Sequence, residues 1–576
     1  MRRVLPLNLF AVVASAVVGI ALAAPAHDVV IRHGTLYDGS GGPGVAGEVA
    51  IDGDRIVYVG KHAPGRGKLE IDARGQAVAP GFINMLAHPE ESLFADGRAV
   101  SDLAQGVTLE VLGEDSMGPL NARMRELAAQ RQGDIKYPVD WSTLGGYLET
   151  VQKRGIGPNI ASTVGGATVR TYVLGEGDVQ PTPQQLGEMR RLVHAAMEEG
   201  ALGLSTALIY SPGSYAKTLE VAALASESAL CGGIYLSHMR SEGDRLMEGI
   251  EELITISRES GAPAEIYHLK ASGKPNWGKL DAAIARVERA RAEGTRITAD
   301  MYTYTAGATG LDAAMPPWVQ DGGLEAWIEH LKDPATRARV ITDMRDPAPT
   351  WENLALRAGP EGTLLLEFKN KALRPLTGRT LAAVAAERHQ SPEDTAIDLV
   401  IEDGTRVGVA YFLMSEENVR RETALPWVSF GSDEAAPAPE GVFLESNNHP
   451  RAYGNFARLL GHYVREEHAL SLGEAIRKLS ALPASNLSLV GRGLLKAGYV
   501  ADVVVFDPAT IADHATYERP HQLATGVADV FVNGQLALRN GTPTGAATGR
   551  VVRGRAWKGA PGGGCRASSR DWTWNS

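Results

Sequence analysis

Between about residues 81 and 489, short apolar strands alternate with amphipathic helices, and no other feature of this 576-residue chain limits its fold so strongly. Strand candidates fall at 82–88, 107–113, 160–165, 201–208, 233–238, 264–269, 296–302 and 428–433. Helical stretches with one charged face, such as 183–199, 246–260 and 280–293, lie between many of them. Strand followed by helix, about eight times over, predicts an α/β fold of the (β/α)8 TIM-barrel type. The segment 407–413 is a ninth candidate for eight places, and residues 306–400 read as an insertion with its own helices, around 323–332 and 380–388.

The two flanks have a different texture. Strand-like units at 29–31, 47–51 and 55–59 are separated by turns rich in Gly and Asp, and a similar pattern returns at 501–506 and 530–534. This predicts one small β-sandwich domain built from both chain ends, 27–80 and 490–556, around a barrel spanning 81–489. The first 26 residues read as a signal peptide: Arg2 and Arg3, an apolar run over 9–24, then small residues at 21–26. The apolar run is short for a membrane span, so the expectation is an exported chain, periplasmic or secreted, with no stable membrane anchor after cleavage. Residues 557–576, with Gly562, Gly563 and Gly564 in succession, read as a flexible tail. Lys and Arg number 57 against 68 Asp and Glu, a net charge of −11 with no basic cluster, which argues against nucleic acid as a partner. Two cysteines cannot make a disulfide framework or a Cys-rich zinc module, and leave a single Cys231–Cys565 bridge open.

Barrel active sites are built at the C-terminal ends of the strands. Here three strand candidates end in histidine, His88, His238 and His268, and two end in acids, Glu114 with Asp115 and Asp433 with Glu434. Imidazoles with carboxylates suit a hard or borderline metal, and so many convergent charges on one rim call for a cation. Two rival motifs fail. Gly39, Gly41 and Gly44 have dinucleotide-loop spacing but lead into a strand, so no helix N-terminus would meet a phosphate. A Gly-x-Ser-x-Gly elbow between strand and helix is absent, which argues against a Ser–His–Asp hydrolase.

Several ordered motifs carry a resemblance. They are Val78-Ala79-Pro80-Gly81-Phe82-Ile83, Gln105-Gly106-Val107-Thr108, Gly203-Leu204-Ser205-Thr206 with Tyr210-Ser211-Pro212-Gly213, and the run from Ser237-His238 to Glu242-Gly243. His268-Leu269-Lys270, Tyr302 to Gly307, Gly431-Ser432-Asp433 and His449-Pro450-Arg451 follow in order. From about residue 28 to 555 the chain resembles the amidohydrolase superfamily, and more narrowly the N-acyl-D-amino-acid deacylases, or D-aminoacylases. The resemblance implies a metal-activated hydrolase of a small N-acyl amino acid or peptide. His238 and His268 would hold zinc, Glu114 would be the third ligand with Asp115 as its alternative, and Asp433 would shuttle the proton. Arg451 and Tyr302 would bind the substrate carboxylate; Lys270 points toward the same rim, and Tyr304 competes with Tyr302.

One departure stands out. The superfamily's first-strand His-x-His pair is Leu86-Ala87-His88 here. Leucine cannot coordinate a metal, so the expectation is one tightly held zinc and a weak or absent second site. His88 stays open as a poor ligand, a substrate contact or a structural residue. Scaffold resemblance does not fix the substrate. A cyclic amidase, dipeptidase or lactonase of the same superfamily, or an inactive periplasmic binding protein, remain alternatives.

Overall fold

Eight parallel strands close into a barrel in the computed structural model, which describes residues 26–566. They are β1 (Phe82–Ala87), β2 (Val107–Leu112), β3 (Asn159–Ser162, continued by Val164–Gly165), β4 (Gly203–Ala207), β5 (Ile234–His238), β6 (Ala264–Ile266), β7 (Ile297–Met301) and β8 (Val428–Phe430). Successive strands pair in parallel, and the circle closes where Asp433 N donates to Leu86 O at 2.8 Å and His88 N to Glu434 O at 2.8 Å. Nearly every strand residue is buried, as in parallel strands covered on both faces. Ile83, Met85, Leu109, Val111, Ala161, Ile234, Leu236 and Tyr267 fill the interior, together with Ala484 and Leu487 from the region of the helix Ala481–Asn486.

The surrounding helices follow from their patterns. In Leu246–Ser260 the buried positions Leu246, Ile250, Leu253, Ile254 and Ser257 recur every three or four residues. Gly261, at φ +76°, ends the helix, its N–H returning to Ser257 O. Each of the aliphatic side chains contributes about 1.5–3 kcal/mol by leaving water. Pro183–Glu198 starts on a capping box between Thr182 and Gln185.

The ninth strand candidate belongs to another sheet. Gly408–Phe412 lies at the centre of a three-stranded antiparallel sheet, between Ala306–Gly310 and Thr363–Glu367. The inserted layer therefore continues past residue 400. An apolar run of this length has no feature that tells a barrel strand from an insertion strand; the partner decides.

The chain ends share one nine-stranded sheet, joined where Ala77–Pro80 pairs antiparallel with Val503–Phe506. The sheet branches at Ala26–Leu36, which pairs with Val45–Asp52 on one side and with both Arg66–Asp72 and Ala77–Pro80 on the other. Residues 1–25 and 567–576, including nearly all of the expected signal peptide, lie outside the described residues. Residues 557–566, read from composition as flexible, are instead tied down. Lys558 N donates to Glu198 O at 2.9 Å, Arg566 N to Leu230 O at 3.2 Å, and Cys565 is disulfide-bonded to Cys231 at the end of the helix Thr218–Leu230. A covalent tie overrides the freedom that a Pro-Gly-rich segment otherwise has. No helix among the described residues is long and apolar enough to cross a membrane.

Candidate active site

Alternation along the strands explains how one ligand residue arrives in the barrel mouth. Leu236 packs in the interior, so His238, two residues on, shares its inward face. Glu114 and His268 have the opposite phase: Val111 and Tyr267 face inward, which would point both residues outward. Both lie just beyond their strands in left-handed backbone, Glu114 at φ +62° and His268 at φ +35°, and turn back over the mouth. Asp433, at φ +53°, does the same after β8. Non-glycine residues in this region cost energy and collect where function needs them.

The three side chains converge. Glu114 Oε1 lies 3.1 Å from His238 Nδ1 and 3.1 Å from His268 Nε2. One ligand atom from each falls within 4.8 Å of the others, and two imidazoles with a carboxylate fit a borderline divalent metal. Burial alone would raise the Glu114 carboxyl, but hydrogen bonds to the two imidazoles hold it well below the usual range. Asp115 is exposed and has no place in this group; Glu114 is the carboxylate that reaches both histidines.

A residue without an assigned role in the motif reading organises the pair. Buried Glu242 accepts from His268 Nδ1 at 2.9 Å, lies 3.5 Å from His238 Nε2, and is itself held by Lys270 Nζ at 2.8 Å. One carboxylate thus faces the far nitrogen of both imidazoles, the arrangement that orients metal-binding histidines. Its spacing, four residues after a strand-end histidine, was its only signal in the sequence.

His88, Glu114 and Asp433 form a second group that shares Glu114. His88 Nε2 lies 3.1 Å from Asp433 Oδ1 and 3.9 Å from Glu114 Oε2. Leu86 is fully buried in the interior apolar cluster and offers this group nothing. Arg451, 1% exposed, places Nη1 2.9 Å from Asp433 Oδ2 and donates from Nη2 to the Asp433 carbonyl at 2.6 Å. Burial would raise the Asp433 carboxyl; Arg451, aided by His268 and His88, outweighs it and holds the group down to about 2.

The Tyr302 ring lies between two cations, with the Arg451 guanidinium 4.3 Å and Lys270 Nζ 5.6 Å from its centre. All three line a cavity of about 1020 Å³ over the metal-binding group, with the inserted sheet forming part of its wall. Tyr304 takes no part: its hydroxyl donates to Asp513 Oδ2 at 3.2 Å. The strand ends at Met301, so the period of two that made Tyr302 and Tyr304 equivalent no longer applies.

Residues 69–537 match the model of the amidohydrolase family. The chain is 33% identical to the D-aminoacylase of Alcaligenes xylosoxydans xylosoxydans over 91% of its own length and 97% of the relative's. It superposes on a D-aminoacylase structure with a TM-score of 0.75 at 31% identity, covering 92% of this chain and 100% of that one; that work concerns a binuclear metal centre with one-metal activation and second-metal attenuation. It matches equally well, at TM-score 0.75 and 28% identity over 92% and 100% of the two chains, the N-acyl-D-glutamate deacylase of Bordetella bronchiseptica, solved with zinc and a phosphonate mimic of the tetrahedral intermediate. With the barrel, the small domain and the metal-binding group all in place, the chain belongs to the amidohydrolase family, beside the D-aminoacylases, and is a hydrolase of linear amide bonds.

Proposed function

We propose that this protein removes the acyl group from N-acyl-D-amino acids outside the cytoplasm, using one tightly held zinc. The observation that carries the reading is the convergence of Glu114, His238 and His268 beside the Asp433–Arg451 pair in one cavity. Zinc rests on the donor set and on the zinc-bound Bordetella relative. A single strong site follows from the ligands: the second group adds only His88 and Asp433 to the shared Glu114, Asp433 is already engaged by Arg451, and Leu86 contributes none. Export is supported by the Cys231–Cys565 bridge, since disulfides persist in oxidising compartments.

Bound by Glu114, His238 and His268, a metal ion supplies Lewis-acid polarisation of the amide carbonyl and acidifies water. The chain's own residues do the rest. Asp433, ionised at neutral pH, takes the proton of the attacking water at Oδ1 and returns it to the departing nitrogen. Arg451 holds Asp433 in position and, with Lys270 and Tyr302, presents positive charge and a hydroxyl to the substrate carboxylate.

The test pairs metal content with a panel of N-acetyl-D-amino acids and their L forms, before and after chelation. About one zinc per chain is expected, with the D forms hydrolysed and activity lost on chelation and regained with zinc. Preference for L substrates, or activity indifferent to chelation, would refute the reading. A second expectation concerns Glu242: Glu242→Gln should weaken metal affinity by about 10–100-fold, measured by competition with a chromophoric chelator. Unchanged affinity would remove Glu242 from the role of orienting carboxylate.

A further inference from the structure

The cavity carries more negative charge than the metal group uses. Glu90, Glu91, Asp115, Glu367 and Glu434 all line it, and among the described residues none forms an ion pair with a lysine or arginine. The other cations of the lining are committed elsewhere: Arg131 to Glu176 and Glu325, Arg406 to Asp312, Lys270 to Glu242 and Arg451 to Asp433. Lys369 is exposed and pairs with none of the five. Glu367 comes from the inserted sheet and faces Glu434 and Glu91 across the cavity; burial first, then those two carboxylates, push its carboxyl up to about 7.

A second observation shows that the same cavity is shaped for a charged ligand. Arg451, 1% exposed and lining the cavity, leaves its Nε without a hydrogen-bond partner. A buried guanidinium with donors to spare is a receptor for a carboxylate. The cavity thus joins a cationic wall, Arg451 with Lys270, to a wall of carboxylates that no protein cation neutralises. At about 1020 Å³ it also lies at the upper end of small-molecule sites, with room beyond a short acyl amino acid.

Building on the deacylase reading above, we propose that the preferred substrate carries a positive charge as well as its carboxylate, and that Glu367 and its neighbours select for it. Two sources supply that chemistry: the ammonium or guanidinium of a basic D-amino-acid side chain, or the free amine of an aminoacyl group on a D-amino acid. Like-charged carboxylates facing one another in a partly dry cavity repel, and a ligand cation turns that cost into attraction.

The zinc-loaded enzyme is compared on N-acetyl-D-arginine, N-acetyl-D-lysine, N-acetyl-D-methionine and N-acetyl-D-glutamate, and on glycyl-D-methionine against N-acetyl-D-methionine. At least one cationic substrate should exceed its neutral counterpart by about tenfold or more in kcat/KM, with N-acetyl-D-glutamate poorest. Which arm shows the gain identifies the source of the charge. Glu367→Gln should shrink that ratio by about threefold or more, mainly through KM for the cationic substrate. Neutral substrates hydrolysed as well as cationic ones, or a Glu367→Gln variant that slows all substrates equally, would overturn this inference and leave the deacylase reading standing. Turnover of none would overturn both.

Discussion

Asp433→Asn is expected to lower kcat on N-acetyl-D-amino acids by about 10²–10⁴, the usual worth of a positioned proton carrier, while metal content stays unchanged. Asparagine has nearly the same shape but cannot take a proton, so the substitution removes the chemistry and keeps the volume. It also suits the backbone, because Asp433 sits at φ +53°, a region that Asn occupies as readily as Asp. The Arg451 Nη2 bond goes to the backbone carbonyl of residue 433, so it survives the change and the loop stays anchored. With the wild-type carboxyl held down to about 2, Asp433 is already ionised across about pH 5 to 8, and the loss of rate should be the same throughout that window. Steady-state kinetics with metal analysis decide the matter. Full activity in the variant would exclude Asp433 as the proton carrier.

How far the site was legible in the sequence depends on backbone phase. Buried parallel strands announce themselves as short apolar runs, and a histidine or acid at the end of such a run stands out. His238 was readable in full, since it keeps the inward phase of Leu236. Glu114 and His268 were legible as strand-end residues, but their direction was not. Both reach the metal group by leaving the strand in left-handed backbone, and nothing in the sequence marks a non-glycine residue for that conformation. The same limit left Glu114 and Asp115 equivalent on paper, and Tyr302 equivalent to Tyr304.

Long-range partners were harder still. Glu242 matters because it lies against two imidazoles from different strands, and Gly408–Phe412 joins the inserted sheet because Ala306–Gly310 and Thr363–Glu367 flank it. Both facts concern residues far apart in the chain, which a local pattern does not encode. The departure at Leu86 was legible because it is an absence of chemistry. A buried leucine at that place cannot become a ligand whatever the backbone does.

Glu114→Ala is expected to have the second large effect: metal content well below one per chain, and kcat/KM reduced by more than about 10³, beyond the 10–100-fold of an outer partner such as Glu242. The reason is geometric. Glu114 is common to both potential metal groups, with Oε1 3.1 Å from His238 and His268 and Oε2 3.9 Å from His88. Without it, two imidazoles remain at the first group, while His88 and Asp433 alone remain at the second. Removing a carboxylate also removes negative charge from a site that must hold a cation, and the two effects reinforce each other. Asp115→Ala provides the control, because Asp115 carries a comparable charge one residue away and touches neither histidine. It should keep its metal. Equal metal loss in both variants would mean that net charge, and not coordination by Glu114, retains the ion. His88→Ala separates the two groups in turn: retention of about one zinc there places the tight site at Glu114, His238 and His268, and its loss would place it on the His88 side.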